Sequence, residues 1–236
     1  MKVIGFIYAA GLGTRLRPHT LAKPKALVRV DGKVLLDNAI EKLEDAGITD
    51  IIVNVHHFPD QIIEHIRSSR GVASIRVSDE RAYLRDTAGG LKFSSPFWGG
   101  ADALLLYNVD IISDIDIRRL LDSHIRSGNS ATLAVRNRDT SRYFIFDGSG
   151  LMCGWCNKST GETILNRSAD ECNLMAFSGI HVINTGFAAE IPSVEKSSIT
   201  NFYIEKCRDY QIGAYVHNGD LWDDVGKFEI FKDRLS

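Results

Sequence analysis

Three stretches of the chain combine residue types that handle phosphate and divalent metal. The first, Ala9-Ala10-Gly11-Leu12-Gly13-Thr14-Arg15-Leu16-Arg17-Pro18, directly follows an apolar β-type run. Glycines there let backbone N–H groups approach a phosphate with no Cβ in the way. Two familiar phosphate loops do not fit. A dinucleotide fingerprint needs glycine where Leu16 stands, and Pro18 interrupts the helix that would receive the pyrophosphate. A P-loop needs a closing Gly-Lys-Ser/Thr, which is missing. An ordinary strand-exit turn is the plain alternative, and the Thr14-Arg15 pair with a lysine nearby favours phosphate over it. That lysine comes in the second stretch, Ala22-Lys23-Pro24-Lys25-Ala26-Leu27, where the proline holds the chain extended. Lys25 enters an apolar segment, which would fix its ammonium in place. Arg15 and Lys25 together would offset the charge spread over a triphosphate during phosphoryl-type transfer.

The third stretch is Leu104-Leu105-Leu106-Tyr107-Asn108-Val109-Asp110, a buried-type strand ending in a carboxylate. At the C-terminal end of a parallel strand, Asp110 would face the crevice where α/β sheets bind ligands. Hard carboxylate oxygens suit Mg²⁺, which also takes phosphate oxygens and water. A lone Asp in that position serves equally as a helix N-cap or turn residue. Trp222-Asp223-Asp224-Val225-Gly226 supplies a second carboxylate, which favours the metal.

The elements that must position these residues follow from periodicity. Short apolar runs at 3–8, 51–55, 104–107 and 132–135 alternate with helix-period stretches at 35–46, 61–66 and 117–125. That alternation predicts βαβ units around a mostly parallel sheet. Gly47 is the expected C-cap of the first helix. After about residue 135 the pattern changes to short segments at 143–146, 152–155 and 176–183 with Gly- and Asn-rich turns, as in antiparallel hairpins. A helix over 199–210, a strand near 214–216 and a helix over 227–235 complete the reading.

Composition excludes several classes. The chain has 236 residues, 44% hydrophobic and 25% charged, which rules out disorder and collagen. A net charge of −2 supplies no global field for nucleic acid or anionic lipid, so any polyanion must be held locally. No apolar run approaches the roughly 18 residues of a membrane span. The N-terminal run at 3–10 is short for a secretory signal, and four cysteines make no disulfide framework, so the expectation is a cytoplasmic protein. Cys153 and Cys156 form a C-x-x-C without a second pair, and three-residue spacing on a strand would turn them to opposite faces. They read as structural.

The four motifs G-x-G-T-R-L-x-P, P-K, N-x-D and W-x-D-x-G, in this order and spanning essentially the whole chain, resemble those of the sugar-1-phosphate nucleotidylyltransferases. Within that family, the segment Val53-Asn54-Val55-His56-His57 and Phe177-Ser178-Gly179-Ile180 are most similar to the N-acetylmuramate 1-phosphate uridylyltransferase branch, with mannose- and heptose-1-phosphate guanylyltransferases close behind. The resemblance implies a three-layer α/β/α, Rossmann-like (glycosyltransferase-A-like) fold with a mixed, mostly parallel central sheet and a small antiparallel sugar-binding region. It implies one nucleotidyltransferase domain: a nucleotide-binding part over about 1–135, a sugar-phosphate-binding part over about 136–220, and a closing metal motif and helix over 221–236.

Carried over by position, Ala10, Gly11, Gly13, Thr14, Arg15, Lys25, Thr87, Gly89, Gly90 and Asn108 would bind the nucleoside triphosphate, with 87–90 as a loop at base and ribose. Arg15, Lys25 and Asp110 would be catalytic, and Asp110 and Asp224 would hold Mg²⁺; the family's D-x-G spacing selects Asp224 over Asp223. Asn157, Lys158, Ser178 and Gly179 would bind the sugar phosphate. Two positions depart from the family: Val109 stands where many relatives have glycine, and Asn157-Lys158-Ser159 replaces Glu-Lys-Pro. The partners implied are UTP or GTP and a sugar 1-phosphate, with no nucleic acid or membrane, in a monomer or homodimer. UTP is favoured over GTP. A non-catalytic nucleotide-sugar-binding regulatory subunit is the alternative of a different class, and retention of both Asp110 and Asp224 argues against it.

Overall fold

The computed structural model describes residues 1–69, 71–168, 170–193, 196–226 and Arg234. In chain order, β1 (Val3–Tyr8) is followed by 3₁₀ turns at Thr14–Leu16 and Lys25–Leu27, then a small hairpin of β2 (Arg29–Val30) and β3 (Lys33–Val34). Next come α1 (Leu35–Asp45), β4 (Asp50–Val55), α2 (Pro59–Ser68), β5 (Ser74–Asp79), α3 (Asp86–Phe93), β6 (Ala103–Asn108), β7 (Ile111–Ser113), α4 (Ile117–Ser127) and β8 (Ala131–Arg136). The second half holds β9 (Arg142–Asp147), β10 (Met152–Asn157), β11 (Glu162–Leu165), β12 (Cys172–Asn184), α5 (Thr185–Ala189), α6 (Ile199–Lys206), β13 (Ile212–Val216) and β14 (Trp222–Asp224).

One sheet joins ten of these strands. Its central part runs β5-β4-β1-β6-β12-β8-β13, and every neighbouring pair is parallel except the two made by β12. Alternating side chains of β1 show why helices cover both faces. Ile7 points into a cluster with Leu35, Leu36, Ala39, Ile40 and Leu43 of α1 and Leu120 of α4. Ile4, Phe6 and Tyr8 point into another with Leu91 of α3, Phe187 of α5 and Phe202 and Tyr203 of α6. The result is the expected three-layer α/β/α arrangement with a mixed, mostly parallel sheet.

β12 serves two sheet regions. Cys172–Met175 pair with β9, extending the antiparallel β9-β10-β11 region, whereas Ile180–Asn184 pair with β6. The register breaks between Phe177 and His181. Gly179 sits in this break with φ of 76°, and a Cβ there would fall 2.7 Å from Asn108 Nδ2. Only glycine lets the strand bend so closely over that side chain.

Three expectations change. Residues 87–90 are the first turns of α3, not a loop. Asp86 Oδ1 accepts from the Thr87 N–H and the Ser197 carbonyl accepts from Ala88 and Gly89, which satisfies the donors at the helix start. The helix expected over 199–210 ends at Lys206. Cys153 and Cys156 share one buried cluster with Tyr143 and Ile145 rather than facing opposite ways. A bulge between Met152 and Gly154 shifts the alternation by one residue. Both thiols are free, and the described residues contain no group of three or more metal-ligating side chains. The helix expected over 227–235 lies, apart from Arg234, outside the described residues, and no described helix is long and apolar enough to cross a membrane.

Candidate active site

Tyr8, Asn54 and Asn108 lie side by side, in register, at the C-terminal ends of β1, β4 and β6. The chain leaves β1 into the glycine loop, and Asn54 ties that loop to the sheet. Its Oδ1 accepts from the Ala9 and Ala10 N–H groups at 2.8 and 3.3 Å. Its Nδ2 donates to the buried carboxylate of Glu80 at 2.8 Å. Burial raises the Glu80 pKa above the ordinary value, against the hydrogen bonds from Asn54 and the Arg85 N–H. Farther along the loop, the Gly13 carbonyl accepts from the Leu16 N–H and the Thr20 hydroxyl, turning the chain so that Arg15 projects back over the strand ends.

Lys25 reaches the same place from its 3₁₀ turn, anchored by buried Ala26 and Val28. Its ammonium lies 2.9 Å from Asp110 Oδ2, and Arg15 Nη2 lies 4.0 Å from the same oxygen. Burial by itself would raise the Asp110 pKa; Lys25 and Arg15 outweigh it and hold the carboxyl below its usual range. Asp224 arrives on β14, whose antiparallel pairing with β7 sets it opposite Ile111. The Val225 N–H donates to the Asp110 carbonyl at 3.0 Å and locks that register. A Cβ on Gly226 would fall 2.5 Å from Asp110 Oδ2, 2.9 Å from Asp224 Oδ1 and 3.0 Å from Arg15 Nη2. Two carboxylates and a guanidinium therefore converge on one point that stays open because residue 226 has no side chain. Asp223, by contrast, is paired with Arg234 at 2.7 Å.

Two cavities meet at this point. One, of about 420 Å³, is lined by Tyr8, Ala10, Gly11, Arg15, Lys25, Asn54, Leu84, Asp86, Thr87, Asn108, Asp110 and Lys196. The other, of about 650 Å³, includes Arg15, Arg138, Arg142, Tyr143, Trp155, Asn157, Phe177 and Asp224 in its walls. Arg15 belongs to both, with Asp110 on one side and Asp224 on the other.

Residues 4–234 match the nucleotidyl transferase family. The chain belongs to that family. Among its relatives, the N-acetylmuramate alpha-1-phosphate uridylyltransferase of Caulobacter vibrioides is 41% identical over 112 residues, covering 46% of each chain. The mannose-1-phosphate guanyltransferase of Aspergillus fumigatus is 28% identical over 226 residues, covering 94% of this chain and 60% of that protein. The chain thus spans less than two thirds of the length of these curated relatives. The fold is that of HddC from Yersinia pseudotuberculosis, solved in complex with GMP-PN: the TM-score is 0.78 at 21% identity, covering 99% of this chain and 98% of that one.

Of the residues marked out by the sequence, Ala10, Gly11, Arg15, Lys25, Thr87, Asn108 and Asp110 line the smaller cavity. Gly13, Thr14, Gly89 and Gly90 do not. Gly90 is buried within α3 on the side facing Glu80, where a Cβ would fall 2.5 Å from Glu80 Oε1. In the larger cavity Asn157 and Asp224 are wall residues and Lys158 is not. Ser178 is buried and pairs with His217 at 2.6 Å. Sequence reasoning missed the Asn54–Glu80 link, although a polar residue closing the apolar run Ile51-Ile52-Val53 was its signal. It also missed Tyr8, whose buried hydroxyl has no partner among the described residues, and Arg138, which follows the end of β8.

Proposed function

We propose that this chain transfers a nucleotidyl group from a nucleoside triphosphate to a sugar 1-phosphate, releasing pyrophosphate and a nucleoside diphosphate sugar. The observation that carries the reading is the convergence of Lys25, Arg15, Asp110 and Asp224 where two cavities meet. The smaller cavity would take the triphosphate and the larger one the sugar phosphate.

The acceptor needs no general base, because the second pKa of a phosphate monoester is about 6 and the nucleophile arrives ionised. What the protein must supply is charge neutralisation and alignment as a dianion approaches a triphosphate. Lys25 and Arg15 would neutralise the phosphates in line with the glycine loop. The two facing carboxylates, with the space left by Gly226, fit Mg²⁺, and Asp110 and Asp224 would be its ligands. Bound there, the metal would polarise the phosphoryl oxygens and add positive charge. An oxygen of the sugar phosphate forms the new bond to the α-phosphorus as the bond from that phosphorus to pyrophosphate breaks.

UTP is the favoured donor, on the resemblance to the uridylyltransferase; the guanyltransferase relatives make GTP the second candidate. Pyrophosphate release measured with UTP and GTP against a panel of sugar 1-phosphates tests the reading. Turnover with one pair supports it. Tight nucleotide binding without release from any pair would leave the regulatory-subunit alternative in its place.

A further inference from the structure

The larger cavity contains a cation whose fixed position sets it apart from the lysine expected to bind the acceptor. Lys158 is exposed, in the turn after β10, and its ammonium sits 4.7 Å from the ring centre of Tyr143. It is not among the residues lining the cavity. Arg138 is. Its guanidinium stacks on Trp222 at 4.6 Å from the ring centre, and Nη2 donates to the Phe177 carbonyl at 3.1 Å. Trp222 is itself held by Nε1–H donating to the Ser178 carbonyl at 2.8 Å. The arginine is thus anchored on one face and at one nitrogen, while its Nε is buried with no hydrogen-bond partner among the described residues.

Position and charge point the same way. Trp222 and Asp224 lie on the same short strand, and Asp224 lines the cavity with Arg138 and is close enough to attract its charge. The side chain as a whole is half-buried, and a permanently charged, partly desolvated fork is stabilised when an anion pairs with its remaining N–H groups. The reacting phosphate of the acceptor must come to the junction marked by Arg15, Asp110 and Asp224, and Arg138 lines the same cavity as Arg15 and Asp224.

We propose that Arg138, rather than Lys158, is the residue that binds the phosphate of the sugar 1-phosphate. The inference rests on the nucleotidyl transfer reading above. The guanidinium, pre-set by Trp222 and Phe177, would offer its free N–H groups to the phosphate oxygens and hold the nucleophile in line with the α-phosphorus. Arg142, exposed near the mouth of the cavity, would draw the acceptor in without fixing it.

Steady-state kinetics on Arg138→Gln, Arg138→Lys and Lys158→Ala test this, using the nucleotide and sugar 1-phosphate pair that the wild-type protein turns over. Loss of a charge-assisted contact should raise the KM for the sugar 1-phosphate by about 30-fold or more in Arg138→Gln, with the KM for the nucleotide within about threefold. Arg138→Lys keeps the charge but not the planar fork, so it should fall between Arg138→Gln and wild type; it also supplies the test if Arg138→Gln does not fold. Lys158→Ala should leave both constants within about threefold of wild type. An unchanged acceptor KM in folded Arg138 variants, or a larger rise in Lys158→Ala than in Arg138→Gln, would overturn the assignment. Absence of turnover in the wild-type protein would overturn the underlying reading instead, so the two failures are separable.

Discussion

Asp110 is a buried carboxylate kept ionised by its neighbours. Only 6% of its surface is exposed, and without Lys25 at 2.9 Å burial would favour the neutral acid. That pairing favours the charged carboxylate. Asp110→Asn keeps the shape and removes the charge. It should lower kcat by about 10³-fold or more while circular dichroism and the melting temperature stay near wild type; unchanged turnover would remove Asp110 from the site. Gly226→Ala probes the same point from the other side. Its Cβ would fall 2.5 Å from Asp110 Oδ2 and 2.9 Å from Asp224 Oδ1, so one of the two carboxylates must move. Because a displacement near 1 Å costs about 10²-fold in rate, kcat/KM should fall by roughly that factor. Full activity in this variant would mean that the two carboxylates do not act together.

At the level of elements, the site is built where β1, β4 and β6 end side by side, which is where a parallel sheet leaves backbone groups free to receive a ligand. The loop after β1 keeps its place through Asn54 and, behind it, Glu80 under α3. Asn54→Ala orphans the Ala9 and Ala10 N–H groups and leaves the buried Glu80 with one fewer donor. The expected cost is about 3 kcal/mol, seen as a fall of about 6–12 °C in melting temperature, together with a higher KM for the nucleotide. A variant with wild-type stability and nucleotide KM would show that the loop holds its shape without this link.

For the molecule as a whole, β12 is the strand that joins the two regions of the sheet, and His181 lies just past the break in its register. The imidazole is 1% exposed, packs between Phe177 and Tyr203, and has no hydrogen-bond partner on either nitrogen among the described residues. Burial pushes its pKa from 6.5 down to about 3. Above pH 6.5 both folded and unfolded chains carry it neutral; between 6.5 and 3 only the unfolded chain takes up the proton, so stability falls as the pH drops through that window. At pH 5 this amounts to about 2 kcal/mol. His181→Phe should therefore lose less melting temperature than wild type between pH 7.5 and 5, by about 4–8 °C. Parallel acid curves for the two proteins would show that His181 does not set the acid limit.

The sequence by itself determined the candidate phosphate and metal residues and the order of the main elements. The glycine loop, Lys25, Asp110 and Asp224 are local signals: each residue type has a physical reason to stand where it does, next to a strand or turn that periodicity reveals. The expectation of Asp224 over Asp223 came from the family's D-x-G spacing; in the structure Asp223 pairs with Arg234 and Asp224 lines the larger cavity. Only the tertiary structure decided what lies behind and across from those motifs. Asn54 meets Glu80 over 26 positions of chain, and Arg138, just past β8, meets Trp222 of β14 from a distant part of the chain. The bulge in β10 redirects two cysteines, and Ser197 and Asp86 turn a glycine-rich stretch into helix. These contacts depend on register and on closures over long sequence distances. Neither is written in the local pattern, because a one-residue shift in a strand reverses every side chain that follows it.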